Sequence, residues 1–315
     1  MTRAFIFPGQ GSQAVGMGKV LADTFAPARE VFQEVDDALN QKLSRLMWEG
    51  PESELVLTEN AQPAIMAASL AIIRILEREA GFSLAKHARL VAGHSLGEYS
   101  ALCAAGAFTL ADAARLLKAR GQAMQTAVPV GQGGMSALLG AEIDQAEDLA
   151  KECGAATAGV CVVANDNAPG QVVISGTKAA IDKAPEVAKA KGIKRAMALN
   201  VSAPFHCPLM EPAAEKMRQA LAAVTIRPLA VPLVANVTAA ETSEPETIRR
   251  LLVEQVTGRV RWRESVLAFR ALGVETTVEA GGAKVLTGMV KRTDKDLQTV
   301  TLDTPADIEA FAKTL

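Results

Sequence analysis

The stretch Arg89-Leu90-Val91-Ala92-Gly93-His94-Ser95-Leu96-Gly97 decides the fold class of this chain. Its first half is a short apolar run, which is typical of a strand buried in a parallel sheet. Its second half fits G-x-S-x-G, a turn that exposes a serine between a strand and the helix that follows it. The stretch therefore predicts an α/β fold with Ser95 as a nucleophile, and the alternative is a glycine-rich turn whose serine only caps a helix.

Outward from this stretch, helices and strands alternate, which favours an α/β domain with a parallel sheet. Helical spacing of apolar residues predicts helices near residues 61–76, 96–105 and 110–126, and short apolar runs predict strands at residues 4–7, 231–235, 275–278 and 299–302.

The pattern changes between residues 131 and 200, where we predict the order β-α-β-β-α-β of a ferredoxin-like unit. The sequence therefore predicts an inserted subdomain at residues 131–200 and a discontinuous, hydrolase-like core of residues 1–130 and 201–315. The elements of the insertion are strands at residues 135–139, 160–164, 171–175 and 195–201, and helices at residues 146–153 and 178–191.

Charge and composition exclude several function classes. Lys and Arg total 33 against 35 Asp and Glu, so the formal net charge of −2 gives no reason to expect nucleic acid or an anionic membrane as partner. The four cysteines form no C-x-x-C pair, which predicts neither disulfides nor zinc and suits a reducing compartment. No window is apolar enough for a membrane span, so we expect a cytoplasmic protein and, by default, a monomer.

A nucleophilic serine needs a base, and the chain offers only His87, His94 and His206. His94 adjoins Ser95 on a tight turn, where neighbouring side chains point apart, and His87 lies among charged residues. His206 follows a strand in a proline-flanked loop. We therefore predict His206 as the base, with a histidine packed in the core as the alternative.

Arg120 lies on the apolar side of its predicted helix, because Ala113, Leu116, Leu117 and Met124 are its neighbours at helical spacing. A guanidinium that faces inward needs an anion, and its planar fork suits a carboxylate. The pattern predicts either a site for a substrate carboxylate or a salt bridge within the fold.

Acyl transfer needs hydrogen-bond donors for an oxyanion. The backbone N–H of Leu96, at the start of a helix, supplies one in this prediction. The loop Pro8-Gly9-Gln10-Gly11 ends the first predicted strand, at the same sheet edge, and supplies the second.

At this point the sequence resembles the malonyl-coenzyme A:acyl carrier protein transacylases of fatty acid synthesis over essentially its whole length. The segments that carry the resemblance are Phe7-Pro8-Gly9-Gln10-Gly11-Ser12-Gln13, Gly93 to Tyr99, Arg120-Gly121 with Met124-Gln125, Asn165 to Gln171, and Ser202 to Cys207. The resemblance implies a hydrolase-like core with an inserted ferredoxin-like subdomain. It also implies transfer of a malonyl group from coenzyme A to an acyl carrier protein through a malonyl-serine, with coenzyme A as part of the substrate and no permanently bound cofactor.

The resemblance implies roles for individual residues as well. Ser95 is the nucleophile, His206 the base, Arg120 the malonate clamp, and Gln10 and Leu96 the oxyanion donors. It adds the following residues: Gln255, whose backbone carbonyl orients the histidine; Met124 and Phe205 in the acyl pocket, where the Phe205 ring excludes branched groups; and Asn165, Asn167 and Gln171 along the coenzyme A approach.

The chain departs from the family pattern at two places. Arg259 replaces a usual proline, which leaves the path after Gln255 open, and Gly282-Ala283 replaces the usual Pro-Gly before Lys284.

Other functions share parts of this pattern. A serine esterase or thioesterase needs an acid between serine and histidine in chain order, and Asp166 is the candidate, although we expect it in a polar loop of the insertion. A free-standing acyltransferase for a polyketide synthase or for malonate decarboxylation differs only in its acceptor, and a non-catalytic binding protein is a further alternative. Basic residues are candidates for docking an acidic carrier protein, or else solvated faces: Lys191, Lys194, Arg195, Lys291 and Arg292.

Overall fold

The structure is a computed structural model that describes residues 2–315, and it contains two β-sheets. The strands are β1 (Arg3–Phe7), β2 (Leu90–Gly93), β3 (Gly133–Leu139), β4 (Cys161–Ala168), β5 (Gln171–Thr177), β6 (Arg195–Ala198), β7 (Leu233–Val234), β8 (Glu241–Thr242), β9 (Thr276–Ala280) and β10 (Gln298–Leu302). The helices are α1 (Lys19–Thr24), α2 (Ala26–Leu39), α3 (Leu43–Glu49), α4 (Glu52–Leu55), α5 (Thr58–Ala80), α6 (Leu84–His87), α7 (Gly97–Ala104), α8 (Leu110–Ala127), α9 (Ile143–Thr157), α10 (Lys178–Ala190), α11 (Glu211–Ala222), α12 (Pro245–Thr257), α13 (Trp262–Ala271), α14 (Val285–Thr293) and α15 (Pro305–Ala312).

The larger sheet has the strand order β10-β9-β1-β2-β7-β8, and all of its pairs are parallel except β7 with β8. Alternate residues of its strands enter two different cores. Phe5, Phe7 and Val91 pack on the side that holds α5 and α8, whereas Ile6 and Ala92 pack on the side that holds α13 and α14. Burial on both faces explains why these strands are continuous apolar runs in the sequence.

The smaller sheet is antiparallel with the order β4-β5-β3-β6, and α9 and α10 pack on it. In chain order these elements run β-α-β-β-α-β, and the strand order is that of a ferredoxin-like unit. The unit has its own apolar core, in which Leu138, Leu149 and Ile174 are buried. The predicted fold class, an α/β core with a parallel sheet and a small antiparallel subdomain, is thereby confirmed.

The segment Asn165-Asp166-Asn167 corrects one prediction, because it belongs to strand β4 and is not a loop. Its backbone pairs with β5 on one edge and reaches the core on the other, where the Asp166 N–H donates to the Val260 carbonyl over 2.9 Å. Two register shifts in β4 accompany this double pairing. A strand of polar residues is stable here because tertiary partners satisfy its backbone, and Arg263 and His94 hydrogen-bond to the side chains of Asp166 and Asn167.

None of the helices within residues 2–315 has both the length and the apolar character needed to cross a membrane. The antiparallel sheet lies between Gly133 and Ala198, inside the predicted subdomain of residues 131–200. The division into this subdomain and a core of residues 1–130 and 201–315 stays a prediction.

Candidate active site

Ser95 lies on the sharp turn between β2 and α7, with φ of 53°, a left-handed value that few side chains adopt. The two flanking glycines make this turn possible. A Cβ atom on Gly93 would lie 1.9 Å from the Gly97 carbonyl oxygen, and one on Gly97 would lie 2.2 Å from the Phe7 carbonyl oxygen. The serine is therefore presented above the sheet by close backbone approach, as the G-x-S-x-G pattern predicts.

Asn236, which follows the neighbouring strand β7, holds this turn in place, and the sequence analysis did not identify it. The Ser95 N–H donates to Asn236 Oδ1 over 2.7 Å, and Asn236 Nδ2 donates to the Gly93 carbonyl over 2.6 Å. Asn236 is buried and is the first polar residue after the apolar strand β7. Its position after the carboxyl end of a parallel strand, where sites of such sheets form, was the signal that could have identified it.

The imidazole of His206 meets Ser95 directly, with 2.8 Å between His206 Nε2 and Ser95 Oγ. On the other side of the ring, Nδ1 lies 2.9 Å from the Gln255 carbonyl oxygen and 3.2 Å from that of Gly258. Because carbonyl oxygens only accept hydrogen bonds, Nδ1 carries the proton and Nε2 is free to accept the hydroxyl proton of Ser95. No carboxylate within residues 2–315 contacts this ring.

Burial is the main cause that lowers the pKa of His206 to about 3, and the positive charge of Arg120 lowers it further. The hydrogen bonds to the Gln255 and Gly258 carbonyls act in the opposite direction but are outweighed. The imidazole is therefore neutral near pH 7, which is the form that a general base requires.

The other two histidines have different contacts. His94 Nε2 lies 2.8 Å from Asn167 Oδ1, and the ring lies 5.8 Å from that of Trp262. His87, expected to be solvated, is half-buried because its ring stacks on Phe82 and its Nδ1 lies 3.0 Å from the Ser83 carbonyl. Neither ring hydrogen-bonds to Ser95.

Arg120 is buried, with 1% of its surface exposed, and its guanidinium reaches the serine. Nη2 donates to Ser95 Oγ over 3.1 Å and to Gln255 Oε1 over 2.8 Å, and Nη1 donates to Gln62 Oε1 over 2.8 Å. A guanidinium has five N–H donors, so two remain for another acceptor, and the Arg120 Nε is one of them. Arg120 forms no salt bridge in residues 2–315, so the alternative of an internal ion pair is not observed.

A cavity of about 390 Å³ opens beside these three groups. The predicted residues that line it are Gln10, Ser95, Leu96, Arg120, Met124, Asn165, Asn167, Phe205 and His206. The backbone N–H groups of Gln10 and Leu96 donate to no acceptor within residues 2–315, so both are free to bind an oxyanion. Gly9 allows the approach of its loop, because a Cβ atom there would lie 2.7 Å from the His94 carbonyl oxygen.

Two predicted site residues do not line this cavity: Gln255, which lies behind it in contact with Arg120 and His206, and Gln171, which contacts none of the groups above. Gln171 begins β5 and pairs in register with Ala168 and Leu139, next to the tight connection at Gly170, and it is absent from the cavity lining. Its distance along the strand explains this, because Gln171 lies two residues beyond Val173, which pairs with Asn165 and lines the cavity, at the end of the β4–β5 hairpin.

Asp166, the acid that a hydrolase would need, is engaged elsewhere. Its Oδ2 accepts from Arg263 Nε over 2.9 Å, and only 1% of its side chain is exposed. In the described chain, residues 2–315, no group of three His, Cys, Asp or Glu side chains is placed to hold a metal ion.

Two further buried residues belong to the site, and the sequence did not identify them. Gln62 on α5 contacts Arg120, and Glu98 on α7 accepts from Gln255 Nε2 over 2.8 Å. Both are polar residues surrounded by apolar neighbours in the sequence, which was the available signal.

Among the basic residues considered for docking, Lys191 is paired with Glu152 at 3.0 Å, whereas Lys194, Arg195, Lys291 and Arg292 are exposed.

Comparisons with known proteins agree with this geometry. Residues 4–306 match the family model described as acyl transferase domain. The chain is 44% identical to a malonyl CoA-acyl carrier protein transacylase of Bacillus subtilis, over 99% of this chain and 96% of the relative. It superposes on an acyl-carrier-protein S-malonyltransferase of Bartonella henselae with a TM-score of 0.97 and 54% identity, covering 100% of this chain and 99% of the other. A third similar structure, with a TM-score of 0.95, 39% identity and full coverage of both chains, is a malonyl-transacylase in complex with a type II polyketide synthase acyl-carrier protein.

Proposed function

The chain belongs to the acyl transferase family, among its malonyl-CoA:acyl carrier protein transacylases, and from this premise we propose how it transfers malonyl groups. The reaction moves a malonyl group from malonyl-coenzyme A to the phosphopantetheine thiol of an acyl carrier protein, a step of fatty acid synthesis. One observation carries the proposal: Ser95 Oγ lies 2.8 Å from the base His206 and 3.1 Å from the buried cation Arg120, at the wall of one cavity.

In the first half-reaction, His206 Nε2 takes the hydroxyl proton of Ser95 while Oγ attacks the thioester carbonyl. The resulting oxyanion accepts hydrogen bonds from the backbone N–H groups of Gln10 and Leu96. When the tetrahedral intermediate collapses, the carbon–sulfur bond breaks. The coenzyme A thiolate leaves and takes the proton from His206, and malonyl-Ser95 remains.

The second half-reaction runs the same steps with the carrier protein. The phosphopantetheine thiol gives its proton to His206, and the sulfur attacks the ester carbonyl of malonyl-Ser95. The ester bond breaks, Oγ takes the proton back, and malonyl-carrier protein leaves. The scheme uses only groups of this chain, the malonyl-coenzyme A thioester and the thiol of the carrier protein, so it requires no permanent cofactor.

We assign recognition of the malonyl carboxylate to Arg120. Its guanidinium keeps donors beyond its three protein hydrogen bonds, and its charge favours an anionic acyl group over a neutral one. Phe205 is buried on the cavity wall with Met124, and we assign both to the acyl pocket. Asn165 and Asn167 line the same cavity and are proposed to flank coenzyme A.

Two observations support transfer over hydrolysis. The partners of His206 Nδ1 are backbone carbonyls and not the carboxylate that a serine hydrolase uses, and Asp166, the candidate for that carboxylate, is paired with Arg263. We also propose a cytoplasmic location, because all four cysteines are free, as is usual in a reducing compartment.

The test begins with brief exposure of the protein to malonyl-coenzyme A, followed by intact mass and peptide mapping. We expect the mass of one malonyl group on the peptide that contains Ser95. Ser95→Ala should not load, whereas Ser100→Ala, at a buried serine on α7, the helix that follows Ser95, should load normally. Adding carrier protein should move the label to its phosphopantetheine.

Two outcomes contradict the proposal: no adduct on the wild-type protein, or free malonate released equally with and without carrier protein. Running the second step with a fatty acid carrier and with a polyketide carrier identifies the acceptor.

A further inference from the structure

Arg120 is a buried cation whose protein partners are all neutral. Its three hydrogen bonds go to the Gln62 amide oxygen, the Gln255 amide oxygen and the Ser95 hydroxyl. A buried charge without a counter-ion is strongly destabilising. The Tyr99 ring lies 5.7 Å from the guanidinium carbon and adds a cation–π contact, so any negative charge of the protein that stabilises this guanidinium acts without touching it.

Glu98 is the buried carboxyl group next to this cluster, with 1% of its surface exposed. Its Oε2 accepts from Gln255 Nε2 over 2.8 Å and from the Asn236 backbone N–H over 3.2 Å. Burial is the largest cause that raises the pKa of Glu98, and these two donors and the positive charge of Arg120 act in the opposite direction, so that the net pKa is about 7. Two N–H groups that converge on one oxygen favour the carboxylate form.

The side-chain amide of Gln255 stands between the two charged groups. Its Nε2 donates to Glu98 Oε2 and to the Ser95 carbonyl over 3.0 Å, and its Oε1 accepts from Arg120 Nη2 over 2.8 Å. The amide dipole is thus aligned with its positive end on the carboxylate and its negative end on the guanidinium. This alignment couples the charges electrostatically without contact.

We propose that Glu98 is the counter-ion of Arg120 and that the Gln255 amide separates them, so that the guanidinium is stabilised yet stays open to a substrate carboxylate. The inference rests on the proposed function, because it assumes that a substrate carboxylate binds Arg120. Glu98 does not line the cavity and is a positioning residue that stabilises the guanidinium without taking the donors that bind the substrate.

The physical reason is competition. A carboxylate of the protein in direct contact with Arg120 would take the planar donor pairs that a malonyl carboxylate needs. It would also be bound already, without the entropy cost that a free substrate pays. With the Gln255 amide between Glu98 and Arg120, the carboxylate does not compete for the guanidinium donors, but its negative charge still stabilises the cation electrostatically.

The decisive variant is the exchange Glu98→Gln with Gln255→Glu, which keeps the charge and brings it into contact with Arg120. We expect a melting temperature at or above the wild-type value, because a direct ion pair forms. The ratio of kcat/KM for malonyl-coenzyme A to that for acetyl-coenzyme A should fall about tenfold or more. A merely structural role would instead change stability and leave this ratio alone.

The single variant Glu98→Gln removes the charge and keeps the amide. Its melting temperature should fall by about 2–4 °C, while the malonyl-to-acetyl ratio is retained or rises. Glu254→Gln, at an exposed position next to Gln255, is the matched control and should change neither quantity.

If the exchange variant does not fold, Gln62→Glu places a carboxylate on the other guanidinium nitrogen and should lower the ratio in the same way. A folded exchange or Gln62→Glu variant with the wild-type ratio overturns the inference. So does a Glu98→Gln variant with the wild-type melting temperature. Failure of the proposed function itself is distinguishable, because the wild-type protein would then not form malonyl-Ser95.

Discussion

Replacing Arg120 with alanine tests whether the guanidinium selects the acyl group. The side chain donates three of its five hydrogen bonds to the protein, and two donors remain for a carboxylate. Hydrogen bonds to charged groups contribute about 1.5–3 kcal/mol each. Because the malonyl carboxylate must also be dehydrated, we take the low end of the sum, about 3 kcal/mol.

A loss of about 3 kcal/mol corresponds to a decrease of roughly 100- to 200-fold in kcat/KM for malonyl-coenzyme A. Acetyl-coenzyme A has no free carboxylate, so we expect its kcat/KM either to fall by no more than about threefold or to rise. Arg120 also lowers the pKa of His206, so the variant has a more basic imidazole. That effect is common to both substrates, and their ratio isolates the contribution of the carboxylate.

The assay is the initial rate of transfer to carrier protein from each coenzyme A ester. Arg115→Ala is the matched control: it lies on the same helix, but its guanidinium is exposed and pairs with Asp112. The control should leave both rates unchanged. A folded Arg120→Ala protein that still loads Ser95 and keeps the wild-type ratio refutes the reasoning.

Three further predictions concern the framework of the site. Asn236→Ala leaves the Ser95 N–H without its acceptor, so the free energy of unfolding measured in urea should fall by about 1–3 kcal/mol. The decrease in kcat should be larger than the increase in KM, and an unchanged kcat would contradict the prediction. Gly97→Ala should abolish transfer because its Cβ would overlap a backbone carbonyl, and an active Gly97→Ala enzyme would contradict this. The control is Gly288→Ala, at an exposed helix position where a Cβ would meet nothing within 4 Å. This variant should keep its activity, and its free energy of unfolding should rise by up to about 1 kcal/mol. Because the pKa of His206 is lowered in the folded state, the imidazole takes up a proton below about pH 6.5 only in the unfolded state. The free energy of unfolding should therefore fall by about 2 kcal/mol between pH 6.5 and pH 5. His206→Gln should lose this part of the pH dependence in urea titrations, and identical slopes for both proteins argue against it.

Local patterns predicted most of the fold because each of them reflects a local physical constraint. The apolar run before Gly93 predicts a buried strand, and Leu110–Ala127 has the spacing of an amphipathic helix, and both lie within a few residues of the predicted limits. Strand β4 was the main exception, since its polar residues follow no apolar alternation. It pairs with β5, the next strand in the chain, on one edge, but its pairing with Val260 on the other edge comes from a segment distant in the chain.

The candidate site divides in the same way. The sequence alone identified His206 as the base by elimination among three histidines, and it placed Arg120 on the inward face of its helix. Both arguments need only composition and helical periodicity. Asn236, Gln62 and Glu98 escaped sequence analysis. Each acts through a side-chain contact with a residue far away in the chain, and a single sequence can mark such a polar residue as unusual but does not show which residue it contacts.

By itself, the sequence determined the strand–turn–helix unit around Ser95, the βαββαβ order of the insertion and the inward face of Arg120, since backbone sterics and hydrophobic periodicity act over short distances. Only the tertiary structure decided which groups surround the guanidinium. Its hydrogen-bond partners are amide oxygens from α5 and α12 and the Ser95 hydroxyl, and the Gln255 amide separates it from the Glu98 carboxylate. The physical reason is that the balance between desolvation and pairing of a buried charge depends on distances of a few ångströms between segments that only folding brings together.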